Sequence, residues 1–135
     1  MWRRCFFLLC PTSTSPSHPG AWQLIVVYCG RSCPISRAYL AALASLAPDF
    51  ADAGCEVVAV SADGRERADD FVARLAETVG RRDAFKVAYG LPPAAMAAWG
   101  LYASSPTTPR DEGVVPEPAV FLIDPDGGLY GTCVR

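Results

Sequence analysis

The sequence lacks the features that mark membrane-spanning and nucleic-acid-binding proteins. It has no run of about 18 or more apolar residues, which a helix needs to cross a bilayer, so we expect no membrane span. Its 12 basic and 14 acidic residues leave a net charge of -2, and they form no block of like charge that could follow a phosphate backbone. Membranes and nucleic acids are therefore not expected partners.

The sequence has one histidine and no cysteine motif that is typical of metal binding. The single histidine, His18, lies in a stretch rich in Pro, Ser and Thr, and this placement excludes catalysis by a Cys–His pair. No paired C-x-x-C sets of the kind that zinc sites need are present, so we expect no metal and no cofactor. The six cysteines are Cys5, Cys10, Cys29, Cys33, Cys55 and Cys133. A chain with an adequate core needs no disulfide framework, so we expect reduced thiols and a cytoplasmic location.

The length and composition indicate one domain behind an N-terminal extension. A chain of 135 residues that is 51% hydrophobic and 19% charged has room and apolar surface for a single core. Two arginines and a short apolar run open the chain, but no small-x-small cleavage site follows, so we do not expect export. The dense Pro, Ser and Thr that follow predict a disordered extension over 1–20, and a redox domain over 21–135.

Hydrophobic periodicity predicts an α/β fold. The buried run Gln23–Tyr28 indicates the central strand, and apolar residues at spacings of three and four predict a helix from about Pro34 to about Asp52, with a possible kink at Pro48. The further predicted elements are a strand over Glu56–Val60, a helix over Glu66–Val79, an extended stretch over 84–88, a helix over Pro93–Trp99, a loop over 104–115, and a hairpin of Ala119–Ile123 and Leu129–Val134. This order predicts a mixed central sheet flanked by helices.

Cys33 is the residue whose position favours chemistry. It lies between a buried strand and a helix that Pro34 opens, so its sulfur faces the unpaired backbone N–H groups and the positive end of the helix dipole. These groups favour the thiolate and lower a thiol pKa, and Arg31 and Arg37 are near enough in sequence to add positive charge. A thiolate attacks disulfides and is oxidised by peroxides. The alternative is that Cys33 is a small buried core residue.

Ser36 occupies the place where a dithiol oxidoreductase carries its second cysteine. A serine can donate a hydrogen bond to the thiolate, but it cannot resolve a mixed disulfide. Regeneration would then need an external thiol, such as glutathione or a protein thiol, or another cysteine of this chain. Cys29 is the nearest candidate, although its position at a strand end also suits packing, and Cys5 or Cys10 could reach a sulfenic acid from the extension. Cys55 and Cys133 suit core or edge positions.

Several segments together resemble the alkyl hydroperoxide reductase and thiol-specific antioxidant (AhpC/TSA) family of the thioredoxin superfamily, and its peroxiredoxin-like members most closely. They are the buried strand, the Gly-x-x-Cys-Pro turn and its helix, Val-Val-Ala-Val-Ser at 57–61, Tyr-Gly-Leu at 89–91, and Phe-Leu-Ile-Asp-Pro-Asp-Gly at 121–127. The resemblance implies a thioredoxin-like fold with antioxidant peroxidase activity and Cys33 as nucleophile. It also implies a cis Glu117–Pro118 bond, with Pro118 lying against Cys33.

The chain departs from that family's pattern at three places. The family's Pro-x-x-x-Thr-x-x-Cys motif would place Pro and Thr where Val26 and Gly30 stand. Glu117 and Pro118 replace the family's arginine before the penultimate strand, a role that Arg31 or Arg110 could take. The closing C-terminal helix of the fold is missing, which we expect to leave one sheet face partly uncovered and to favour a homodimer.

The leading hypothesis is a thiol-dependent oxidoreductase in which Cys33 attacks a peroxide or disulfide and an external thiol, thioredoxin-like or glutathione, restores it. We expect Cys33, Ser36 and Arg31 to be catalytic, and Gly30, Pro34 and Pro118 to bind substrate. Two alternatives remain open: a monothiol disulfide-exchange protein, and a non-catalytic thioredoxin-like interaction module.

Overall fold

The computed structural model describes residues 20–105, 109 and 113–135, and within these ranges three helices and seven strands follow one another along the chain. They are β1 (Trp22–Val27), α1 (Pro34–Asp52), β2 (Cys55–Val60), α2 (Arg65–Val79), β3 (Lys86–Ala88), α3 (Pro93–Ala98), β4 (Ala103–Ser104), β5 (Val115–Pro116), β6 (Ala119–Ile123) and β7 (Leu129–Val134). The predicted extension over 1–20 lies, except for Gly20, outside the described residues.

Strand β1 lies at the centre of a five-stranded sheet with the order β3-β2-β1-β6-β7. It pairs in parallel with β2 and antiparallel with β6, so Ile25 is opposite Val58 on one side and Phe121 on the other. The pairing of β2 with β3 is parallel, and that of β6 with β7 is antiparallel. The predicted mixed sheet, flanked by helices, is confirmed.

The sheet separates two apolar cores, because successive residues of a strand point to opposite faces. On one face Ile25 and Val27 pack with Met96 and Trp99 of the α3 region. On the other face Val26 and Tyr28 pack with side chains of α1 and α2, which are Leu40, Leu43, Phe71 and Leu75. The rings of Tyr28 and Phe71 stack with their centroids 4.9 Å apart. This two-faced burial explains why β1 has no polar alternation in sequence.

Helix α1 begins and ends where the sequence predicts. Pro34 takes the first helical position, where its missing N–H costs nothing, and the helix runs through Pro48 to Asp52. Gly54 then adopts a φ of +71°, a conformation that suits glycine after a helix end. This helix packs against α2 and β2, which fixes its first turn at one end of the sheet.

Two expectations are corrected by the structure. Part of the predicted 104–115 loop is a small antiparallel pair, in which Ala103 is opposite Pro116 and Ser104 is opposite Val115. A strand of two residues is too short to show a periodic pattern, which is why the sequence did not reveal it. The Glu117–Pro118 bond is trans, as is every peptide bond in the described ranges, because the tertiary amide of an X–Pro bond still favours trans.

No helix in the described ranges is both long and apolar enough to cross a membrane.

Candidate active site

The turn between β1 and α1 places Cys33 at the start of the helix. The backbone N–H of Tyr28 donates to the Val60 carbonyl at 3.0 Å, which extends the sheet just beyond β1. The chain then reverses at Gly30, whose carbonyl accepts the Cys33 N–H at 3.2 Å. Gly30 has a φ of +139°, and a Cβ there would lie 3.1 Å from a carboxylate oxygen of Asp63. Glycine is therefore required at this position.

Cys33 is the N-cap residue of α1, and its sulfur does the work of a capping oxygen. Its Sγ accepts the backbone N–H of Ser36 at 3.5 Å. Partial burial raises the pKa of the thiol, but hydrogen bonds from the Ser36 hydroxyl, from the backbone N–H groups of Ser36 and Ile35 and from the Cys29 thiol outweigh burial. The pKa of Cys33 is therefore lowered, as the helix-start position predicts.

The neighbouring sulfur of Cys29 has the opposite protonation preference. Burial raises the pKa of Cys29, and although the Ser36 hydroxyl lowers it, the negative charges of Cys33 and Glu117 raise it further. The Cys29 thiol thus keeps its proton and donates it in a hydrogen bond to Cys33. Ser36 is 4% exposed, and hydrogen bonding by its buried hydroxyl lowers the pKa of both thiols.

Both sulfurs border a cavity of about 310 Å³. Its lining comes from the turn and from the β4–β5 pair, and consists of Cys29, Gly30, Ser32, Cys33, Pro34, Ser104, Ser105, Val115, Pro116 and Glu117. The Ser104 hydroxyl donates a hydrogen bond to the Glu117 carboxylate. None of these lining residues is cationic, so hydrogen bonds and the start of α1 supply the positive potential at Cys33.

Asp63 and Arg67, at the start of α2, hydrogen-bond to the turn, and neither is a site residue that the sequence predicted. The Asp63 carboxylate accepts the backbone N–H of Arg31 at 2.6 Å and the Nε of Arg67 at 3.0 Å. The second arm of Arg67 donates from Nη2 to the Ser32 hydroxyl at 3.0 Å. The side chains of Asp63 and Arg67 are only 10% and 16% exposed. The one sequence signal was the four-residue spacing of an acid and an arginine at the start of α2.

The structure brings four of the six predicted site residues together. Gly30, Cys33 and Pro34 line the cavity, and Ser36 contacts the sulfur of Cys33. The remaining two lie elsewhere.

The guanidinium of Arg31 forms an ion pair with Asp70 of α2, which also binds Arg74 at 2.9 Å. Pro118 is not among the lining residues, and its carbonyl accepts the Arg135 N–H at 3.1 Å. The catalytic role of Arg31 and the substrate contact of Pro118 stay predictions. Arg110 lies outside the described residues.

The structure offers no sign of a metal centre in the part of the chain that it describes. No group of three or more His, Cys, Asp or Glu side chains is placed there to hold an ion. The chemistry that this arrangement can perform is that of a thiolate beside a protonated thiol.

A comparison of the sequence with protein families finds one match. The model of the AhpC/TSA family matches residues 11–131. This range includes the turn, both sulfurs and the β6–β7 hairpin. No curated protein matches the chain.

Solved structures with a similar fold include several peroxiredoxins. A cysteine-to-serine mutant of peroxiredoxin 6 from Arenicola marina has a TM-score of 0.74 at 18% identity, and the match covers 86% of this chain and 53% of that one. The bacterioferritin comigratory protein of Xanthomonas campestris, studied for its alkyl peroxide reduction activity, has a TM-score of 0.68 at 24% identity, covering 87% and 70%.

AhpC of Mycobacterium tuberculosis has a TM-score of 0.69 at 18% identity, covering 90% of this chain and 62% of that one. The chain thus spans between about half and seven tenths of the length of these proteins. At these identities the structural matches show a shared thioredoxin-like fold.

Proposed function

Because the chain belongs to the AhpC/TSA family, we propose that it is a thiol-dependent peroxidase in which Cys33 is the nucleophile. One observation carries this proposal. The Cys33 sulfur caps the first turn of α1 at the edge of a cavity, where the hydrogen bonds of its neighbours lower its pKa. A stabilised and accessible thiolate is the species that peroxides oxidise.

The proposed reaction has one chemical step at Cys33. The thiolate attacks the terminal oxygen of a hydroperoxide, an S–O bond forms, and the O–O bond breaks. Cys33 becomes a sulfenic acid, and the departing alkoxide takes a proton to leave as an alcohol. The backbone N–H of Ser36, which the Cys33 sulfur accepts at 3.5 Å, stabilises the thiolate before it attacks.

The predicted site residues have different roles in the proposed reaction. Ser36 stabilises the thiolate through its hydroxyl and its backbone N–H. Gly30 and Pro34 form part of the cavity wall, against which the substrate binds. Arg31 acts through the backbone, because its N–H is bound by Asp63 and its side chain by Asp70. The substrate contact of Pro118 stays a prediction. Pro118 directly follows Glu117, whose side chain lines the cavity.

The remaining expectations complete the proposal. An external thiol, from a thioredoxin-like protein or glutathione, supplies the electrons that return Cys33 to its thiol. A cytoplasmic location fits the four free thiols in the described ranges. The homodimer stays a prediction, which sedimentation of the full chain would test. The division into an extension over 1–20 and a redox domain over 21–135 also stays a prediction, and limited proteolysis would test it.

The proposal is tested by peroxide consumption with a thiol reductant in excess. We expect Cys33→Ser to lose this activity, because serine has no thiolate at neutral pH, while Cys55→Ser, which changes a partly buried thiol outside the cavity, retains it. If Cys33→Ser consumed peroxide as fast as the parent, the peroxidase proposal would be abandoned.

The same assay separates the alternatives. A monothiol exchange protein would reduce a mixed disulfide through Cys33 while leaving peroxide untouched, and an interaction module would do neither. The family match favours neither alternative.

A further inference from the structure

Cys29 and Cys33 lie in one turn, four residues apart in sequence, between the end of β1 and the start of α1. The Gly30 carbonyl accepts the Cys33 N–H at 3.2 Å, so the chain between them folds back on itself. Both residues are partly exposed, both line the 310 Å³ cavity, and both are free thiols. Both side chains therefore border the same space, and hydrogen bonding by the Cys29 side chain contributes to the lowered pKa of Cys33.

We propose that Cys29 is the resolving thiol of this site, so that the oxidised chain closes a Cys29–Cys33 disulfide within its own active-site turn. This inference rests on the proposed peroxidase function and names its second step. The sequence left open where the resolving thiol comes from, because Ser36 stands where a second cysteine would be expected on α1. In the proposed site the second sulfur is instead that of Cys29, which lies just after the end of β1.

The second step converts the sulfenic acid of Cys33 into a disulfide and releases water. The Cys29 sulfur attacks the sulfur of the Cys33 sulfenic acid, an S–S bond forms, and the S–O bond of the sulfenic acid breaks. The hydroxide that leaves takes the Cys29 proton and departs as water. An external dithiol then reduces the disulfide through a mixed disulfide, which returns both thiols and oxidises that dithiol to its own disulfide.

The surroundings of Cys29 fit this order of events. Burial, together with the negative charges of Cys33 and Glu117, raises the pKa of Cys29 and favours its protonated form while Cys33 is a thiolate, so Cys29 does not compete for peroxide. Once Cys33 is a neutral sulfenic acid, the repulsion from its negative charge ends and Cys29 ionises more readily. Among the other described cysteines, Cys55 opens β2 at the opposite end of the sheet and Cys133 is exposed on β7. Neither lines the cavity.

The test uses the full chain with Cys5, Cys10, Cys55 and Cys133 changed to serine, so that Cys29 and Cys33 are the only thiols. After treatment with one equivalent of hydrogen peroxide, the protein is alkylated and digested with trypsin without reduction. Trypsin cleaves after Arg31 and Arg37, which separates Cys29 from Cys33, the latter in the peptide 32–37. We expect the two peptides to be linked and the linked pair to disappear on reduction.

Cys29→Ser in the same background is the matched variant. It should lose the linked pair and accumulate a Cys33 sulfenic acid that dimedone labels in peptide 32–37. Dimedone labelling of Cys33 with no linked pair while Cys29 is present would overturn the resolving role and leave the peroxidase proposal standing. Cys33 that stays unoxidised in both variants would overturn both proposals.

The unmodified chain supplies a second measurement that does not depend on the folding of a multiple variant. Because Cys5, Cys10 and Cys29 share the tryptic peptide 5–31, this sample is also digested with chymotrypsin, which cleaves after Tyr28 and separates Cys29 from the other two. A peroxide-induced link from Cys33 to Cys29 supports the proposal, and a link to Cys5 or Cys10 instead overturns it.

Discussion

The two ends of the sheet each present a cysteine beside a cavity, and they differ in what surrounds the sulfur. Cys33 follows the carboxyl end of β1, whereas Cys55 opens the parallel strand β2 at the other end. The cavity at Cys55 is the larger, at about 860 Å³ against about 310 Å³. Burial raises the pKa of Cys55, whereas hydrogen bonds lower that of Cys33 in spite of burial.

This difference predicts that the hydrogen-bond donors around a sulfur, and not the volume of the cavity beside it, decide which of the two thiols ionises more readily. The Cys33 sulfur receives several hydrogen bonds at a helix start. The Cys55 sulfur receives one, from the backbone of Leu24, which does not offset burial, and it donates to the Glu56 carbonyl at 3.8 Å. A sulfur that must donate gains nothing from losing its proton. We therefore expect the thiol beside the larger cavity to be the less reactive of the two.

Removing the charge of the Asp63 carboxylate, which accepts hydrogen bonds from the Arg31 N–H and from Arg67, should have the largest effect on the difference between Cys33 and Cys55. Asp63→Asn leaves Arg67 largely buried without a countercharge and weakens the bond to the Arg31 N–H, so we expect a loss of about 3 kcal/mol of folding free energy. Asp69→Asn is the control, because its partner Arg65 is 76% exposed and their pair should contribute less than about 0.5 kcal/mol.

Urea unfolding measures both variants, and alkylation of Cys33 against Cys55 measures the site. Alkylation of Cys33 should slow in Asp63→Asn, while that of Cys55 should not change. Equal losses of stability in the two variants would show that the turn does not depend on this buried pair.

Removing one donor should narrow the difference between the two thiols by a smaller amount. Ser36→Ala deletes the buried hydroxyl that contacts both active-site sulfurs, and a hydrogen bond of this kind contributes about 1 kcal/mol. We expect the pKa of Cys33 to rise, because its thiolate loses one of the hydrogen bonds that stabilise it. The pH dependence of Cys33 alkylation measures this shift.

Ser45→Ala is the matched control on the same helix, since Ser45 is exposed and its hydroxyl donates to the Ala41 carbonyl, away from both sulfurs. An unchanged Cys33 alkylation profile in Ser36→Ala would mean that the backbone N–H groups alone stabilise the thiolate.

The smallest effect should appear in the pH dependence of stability, with opposite signs at the two ends. The pKa of Cys33 is lowered by folding, so its contribution is complete above the pKa of an unfolded thiol and is lost as pH falls through the folded value. The pKa of Cys55 is raised, so its contribution is present below the unfolded pKa and is lost as pH rises through the folded value.

Urea unfolding of Cys33→Ser and Cys55→Ser across neutral to alkaline pH should therefore show stability differences from the parent that change with pH in opposite directions. Parallel changes would show that the two thiols do not differ in the way that their surroundings indicate.

The sequence predicted the parts of the fold that depend on periodicity. The buried run at β1 and the proline that opens α1 sufficed to place Cys33 at a helix start, and the structure confirms this position. Contacts between residues far apart in sequence could not be predicted in the same way. Asp63 and Arg67 reach the turn across more than 30 residues, and nothing local distinguishes them from an ordinary capped helix start.

The cavity wall was missed for a related reason. Glu117 and Ser104 face the sulfurs because β4 and β5 pair across a loop, and two-residue strands have no detectable period. The family resemblance directed attention to Pro118, one residue beyond the side chain that lines the cavity.

The central position of β1 has a consequence for how the domain can be observed. Backbone amides in a strand paired on both sides exchange with solvent only when the whole domain opens, and β1 is such a strand. The turn that carries Cys33 is anchored directly to it. We therefore expect the lowered pKa of Cys33, measured by alkylation at a pH where an ordinary thiol stays protonated, to be lost only when the whole domain unfolds, so that this measurement during heating follows global unfolding.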